Sequence, residues 1–149
     1  MKSRSNEPID ILIVEDNPQD AELTTRALMK KHLALRIFVV EDGEEALDFV
    51  FSRGKYEIRK ALKLPKIVFL DLKLPKVSGL EVLKEIKTQP KTKSTPVVMV
   101  TSSREEADIR AAYEFGANGY VVKPVEFEAF SQTMTQTGIF WLRINEEPR

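Results

Sequence analysis

Four places along the chain carry side chains suited to one kind of chemistry. Glu15 and Asp16 follow the apolar run at residues 9–14, and Asp71 follows the run at 67–70. Thr101, Ser102 and Ser103 follow 97–100, and Lys123 and Pro124 follow 120–122. Taken singly, each reads as a loop polar residue or a helix cap. Together they suggest a site. A carboxylate directly behind a buried apolar run is costly to desolvate unless a charge compensates it. Three in one crevice raise each other's pKa. A hard divalent cation removes that cost, and oxygen ligands without sulfur or imidazole suit Mg2+, with Mn2+ as the alternative ion. A lysine and a threonine beside the ion would hold phosphoryl oxygens by charge and hydrogen bonding. A carboxylate that carries a phosphoryl group is a recognised covalent nucleophile.

Composition removes the competing chemistries. The 149 residues contain no cysteine, which excludes disulfides, thiolate catalysis and cysteine metal sites. The single histidine, His32, excludes sites built on several imidazoles; between Lys30, Lys31 and the end of a predicted helix it fits a solvated or dipole-complementing role better than phosphate relay. The 23 basic residues balance the 23 acidic ones, so net charge gives no pull toward nucleic acid or anionic membrane. Residues 1–8 are polar and unlike a signal peptide, and no apolar run approaches the roughly 20 residues that span a bilayer. The expectation is one cytoplasmic domain over 9–144, with a flexible N-terminus at 1–8 and a tail at 145–149.

The elements that must position these residues alternate. Apolar, β-branched runs at 9–14, 35–40, 67–70, 97–100 and 120–122 suit strands buried on both faces of a parallel sheet. Helix starts lie between them. Asn17 before Pro18 places a cap ahead of a first-turn proline. Asp42 with Glu45, Ser78 with Glu81, and Ser103 with Glu106 have capping-box spacing. Gly116 reads as a helix stop. A last helix is expected from about Val125, with Phe127, Phe130, Met134 and Trp141 on one stripe. The stretch 53–65 reads as a charged surface connection with extra helix at 56–62. Five β-α units with right-handed crossovers imply an α/β doubly wound sheet with helices on both faces. In such a sheet the carboxyl ends of the strands form the ligand rim, which is where the polar residues gather.

At this point the chain resembles the receiver domain of two-component response regulators. The matching residues are Ile13, Val14, Glu15, Asp16 and Asn17; Leu70, Asp71, Leu72, Lys73, Leu74 and Pro75; and Ser78, Gly79, Leu80 and Glu81. Val100 and Thr101, the run Gly116, Ala117, Asn118, Gly119 and Tyr120, and Lys123 with Pro124 continue it. The opening Glu, Asp, Asn, Pro, the lengthened segment before the third strand and the tail Phe140, Trp141 and Leu142 are similar to standalone regulators that serve bacterial phytochromes. The resemblance implies a flavodoxin-like five-stranded sheet in the order 2-1-3-4-5. It implies Asp71 as the phosphoacceptor for a sensor histidine kinase. Asp16 would bind the metal directly, Glu15 through water, and Lys73 through its carbonyl. Lys123 and Thr101 would hold phosphoryl oxygens, Tyr120 would be the aromatic switch of an α4-β5-α5 surface, and a cis bond would precede Pro124. Position 15 is Glu where Asp is commoner, and position 102 is Ser where a small apolar residue is frequent.

Three other readings compete. A phosphate-independent pseudo-receiver fits poorly with an intact Asp16, Asp71, Thr101 and Lys123. A magnesium-dependent phosphohydrolase would carry a second aspartate where Lys73 stands, so no enzyme is expected. A DNA-binding output domain has no room after Trp141. Phe140, Trp141 and Leu142 cannot all face one core from one helix, so either the tail folds back or part of this surface is an interface, with a homodimer preferred.

Overall fold

Among the described residues, five short parallel strands and five α-helices follow one another in the expected alternation. A computed structural model describes residues 3–30 and 35–146, and His32 lies outside them. The elements are β1 (Ile11–Val14), α1 (Pro18–Met29), β2 (Ile37–Val40), α2 (Gly43–Val50), β3 (Ile67–Leu70), α3 (Gly79–Thr88), β4 (Val97–Thr101), α4 (Glu106–Glu114), β5 (Gly119–Val122) and α5 (Phe127–Ile139). A 3₁₀ segment, Gly54–Ala61, precedes β3, and a π-helical turn, Phe140–Ile144, follows α5. The strands pair in the order β2-β1-β3-β4-β5, as the resemblance implied. Every residue of β1, β3 and β4 is buried, whereas the edge strands β2 and β5 are partly open.

Alternation along the strands divides the interior into two cores. Leu12 and Val14 of β1 face one side with Val68, Leu70, Met99 and Leu83. Ile11 and Ile13 face the other with Phe69, Val98, Phe130 and Met134. Helices α2, α3 and α4 cover the first, and α1 and α5 cover the second. The covers are unequal. Helix α5 buries Phe130, Ser131, Met134 and Gly138, and it is tied to α1 by Lys30 Nζ donating to Ser131 Oγ at 3.0 Å and Thr135 Oγ1 donating to the Ala27 carbonyl at 3.0 Å. Helix α4 buries Ala112 alone.

Most of the expected boundaries stand, and the differences have local causes. Asn17 caps α1 by accepting from Gln19 N and Asp20 N, and Asp42 and Ser78 accept from the amides of Glu45 and Glu81. Gly116, at φ 100°, ends α4 with Gly116 N donating to the Tyr113 carbonyl and Ala117 N to that of Ala112. Ser103 does not cap Glu106. Its hydroxyl donates to Asp108 Oδ2 at 2.6 Å, and Glu105 takes the cap position. Helix α5 begins at Phe127 rather than near Val125, and Phe127 is exposed because this first turn overhangs an open groove of about 780 Å3 instead of the sheet. Near the N-terminus, the buried Arg59 guanidinium donates to the Ser5 and Glu7 carbonyls at 2.6 and 2.9 Å.

Candidate functional site

The strand ladders run one step past the strands and carry the site residues with them. Glu15 N donates to the Val40 carbonyl, Asp71 N to that of Val14, and Lys123 N to that of Thr101. Backbone pairing therefore sets the heights of Glu15, Asp71 and Lys123 at the carboxyl rim. The floor is equally constrained. Gly79 N donates to the Leu72 carbonyl at 2.8 Å, and a Cβ at Gly79 would fall 2.0 Å from the Asp71 carbonyl oxygen. Only glycine lets α3 start this close to the backbone of Asp71.

The carboxylates converge. Oxygens of Glu15, Asp16 and Asp71 all lie within 4.8 Å of one another, with Glu15 and Asp71 buried and Asp16 exposed. Lys123 enters the cluster from β5. Its Nζ donates to Glu15 Oε1 at 2.5 Å, Asp20 Oδ2 at 3.0 Å and Asp71 Oδ2 at 3.2 Å, with its side chain 9% exposed. Burial alone would lower the Lys123 ammonium, but Glu15, Asp71 and Asp20 hold it above the usual lysine range. Burial lifts the Glu15 carboxyl above its usual range, with Asp71 adding to the lift and Lys123 and the Asn17 amide opposing it. Asp71 is fixed from both sides, since its other oxygen, Oδ1, accepts from Leu72 N at 2.7 Å.

This donor set fits a hard divalent cation. It is all oxygen, it is anionic, and it already draws an ammonium onto Glu15 and Asp71, so the spot favours positive charge. Receiver domains bind Mg2+ at such an acidic pocket. Asp20 was not legible as a member. As an acid in the first turn of α1 it reads from sequence as a partner of the helix dipole, and its spacing from the cap Asn17 is the one signal that fixes its position.

The remaining expected residues surround the cluster. Thr101 is buried at the end of β4, where its Oγ1 accepts from Ser103 N at 3.4 Å. Tyr120 is half-buried and its hydroxyl donates to the Ser103 carbonyl at 3.0 Å, so the β4–α4 loop already holds the ring; burial raises this phenol above its usual value and keeps it a neutral donor. Lys73 lies exposed in the loop after Asp71. Pro124 follows Lys123 through a trans peptide bond, not the cis bond implied by the resemblance, and the trans chain still brings Lys123 Nζ to all three carboxylates. Trp141 and Leu142 pack against the α1–α5 core while Phe140 and Ile144 face outward, so the tail both folds back and leaves an apolar surface.

Comparisons with known proteins point to one family. The family model described as the response regulator receiver domain matches residues 11–135. A probable methanogenesis regulatory protein, FilR2 of Methanothrix harundinacea, is 38% identical over 97% of this chain and 90% of its own. The phosphorylated cyanobacterial phytochrome response regulator RcpA superposes with a TM-score of 0.89 at 34% identity, covering 96% of this chain and all of that one. The bacteriophytochrome response regulator AtBRR is 51% identical, with a TM-score of 0.72 over 94% of this chain and 99% of that one.

Proposed function

The chain belongs to the response regulator receiver domain family, and on that footing we propose that Asp71 accepts a phosphoryl group from a sensor histidine kinase. The observation that carries the reading is the convergence of Asp71 with Glu15, Asp16 and Lys123 at one rim. Asp16 and Asp71 would hold Mg2+, or Mn2+, with Glu15 and the Lys73 carbonyl completing the set, and such an ion would supply positive charge to the transferring oxygens. An Asp71 oxygen attacks phosphorus in line, the bond from phosphorus to the imidazole nitrogen breaks, and its electron pair leaves with that nitrogen. Lys123 holds one phosphoryl oxygen and Thr101 donates its hydroxyl to another. Tyr120 and α4 follow Thr101, which shifts the population of the α4-β5-α5 surface only by the difference in phosphoryl binding between its two states.

The receiver consumes itself as substrate, so no turnover enzyme is proposed. A phytochrome-type kinase is the proposed donor, because AtBRR at 51% identity stands nearer than FilR2 at 38%. Residues 9–144 form the proposed unit, in the cytoplasm; no helix among the described residues is long and apolar enough to cross a membrane. Of the expected interface residues Phe140, Trp141 and Leu142, Phe140 with the adjoining Ile144 supplies the outward face of the proposed homodimer surface, and Trp141 and Leu142 pack behind it.

The test is incubation with Mg2+ and acetyl phosphate, followed by intact-mass measurement. One phosphoryl group is expected on the unaltered chain and none on Asp71→Asn. Equal modification of the two would remove Asp71 from its role.

A further inference from the structure

Lys123 offers three donors and meets three carboxylates, so its ammonium is saturated. Two of its partners, Glu15 and Asp71, belong to the trio whose oxygens converge within 4.8 Å. The third, Asp20, does not. It stands in the first turn of α1, where the Asn17 side chain fixes its amide, and its side chain is 30% exposed beside the groove that Lys123 also lines. Every carboxylate that Lys123 touches, except Asp20, is therefore also wanted by a divalent cation.

That competition has a cost. When Glu15 and Asp71 turn their oxygens to a divalent ion, Lys123 loses two counter-charges while its own side chain is 9% exposed. A buried ammonium left without a partner is strongly unfavourable. We propose that Asp20 is a positioning residue: it is the counter-ion Lys123 keeps when the other two are withdrawn. Asp20 thereby eases cation entry and holds Nζ at the rim, facing the oxygens of a group carried by Asp71. The bland account is that Asp20 merely complements the α1 dipole, or adds negative charge that attracts any cation through space.

The proposal rests on the reading of Glu15, Asp16 and Asp71 as metal ligands, and the two are separable. The measurement is the Mg2+ dissociation constant of the full chain by titration calorimetry, for the unaltered protein, Asp20→Asn, Lys123→Gln and the double variant. If Asp20 acts through Lys123, Asp20→Asn weakens Mg2+ binding about tenfold with Lys123 present and less than about twofold in Lys123→Gln. Lys123→Met supplies the same background should the glutamine variant not fold. Equal weakening in both backgrounds, or none in either, overturns the role of Asp20 and leaves the metal site standing. Failure of the unaltered chain to bind Mg2+ overturns the metal reading and this role with it.

Discussion

At the scale of single residues, Glu45 shows how one carboxylate ties a connection to a helix. It accepts from the Tyr56 hydroxyl at 2.9 Å and pairs with Lys55 at 2.6 Å, while Glu41 N donates to its other oxygen. Burial raises the Glu45 carboxyl, but the bonds from Lys55 and Tyr56 outweigh it and hold the group below its usual range. A depressed folded pKa means a contribution that is complete above the unfolded value, about 4.3, and is lost as pH falls through the folded one. Tyr56→Phe keeps the ring packing on Phe38 and Phe49 and removes only the donor. Urea denaturation near pH 7 should show a loss of about 0.5–1.5 kcal/mol, and the loss should shrink toward pH 3. The same loss at both pH values would refute the role of the phenol as donor to Glu45.

At the scale of elements, the 3₁₀ segment Gly54–Ala61 is the part that sequence rendered least well. Residues 53–65 are rich in charge and read as a solvated connection with a helical stretch. The helix is there, yet Arg59 is buried, its guanidinium 4.1 Å from the Phe49 ring centre and bonded to two carbonyls of the N-terminal segment. Composition counts a charged residue as solvated; only tertiary packing supplies its stack and its acceptors. Arg59→Ala should cost about 1–3 kcal/mol and abolish hydrogen-exchange protection of the Glu7 amide, which donates to the Arg4 carbonyl, and Arg59→Lys should not restore it, since one ammonium cannot both stack flat and fork to two acceptors. Unchanged protection in Arg59→Ala would show that the segment is held by something else. The misplaced cap at α4 has a similar origin. Ser103 and Glu106 have the right spacing, but spacing cannot tell that the Ser103 oxygen accepts from Glu105 N while its hydrogen goes to Asp108.

At the scale of the whole molecule, the strands and the rim were readable because fully buried parallel strands leave an unmistakable mark: β-branched runs ending abruptly in a polar residue, as at Val14–Glu15 and Leu70–Asp71; the order 2-1-3-4-5 came from the family resemblance, since such runs locate strands without ordering them. What periodicity could not supply was the exposure of the start of α5. Phe127 lies at helical spacing from Phe130 and Met134, yet it projects past the layer that would cover it. The tail beyond α5 carries the proposed dimer surface, with Phe140 at 44% and Ile144 at 63% exposure. Sedimentation velocity at micromolar concentration should give a dimer for the unaltered chain and a monomer for Phe140→Asp with Ile144→Asp. A monomer for the unaltered chain, with and without beryllofluoride as phosphoryl mimic, would remove the homodimer.

The unequal covers of the two cores have a consequence for where rearrangement is cheapest. Helix α5 is bolted to α1 through buried side chains and cross-helix hydrogen bonds, whereas α4 rests on the sheet by one small residue. Within the proposed α4-β5-α5 surface, the phosphoryl-linked displacement is therefore expected at α4 and β5, with α5 held by α1 as the part of that surface that moves least.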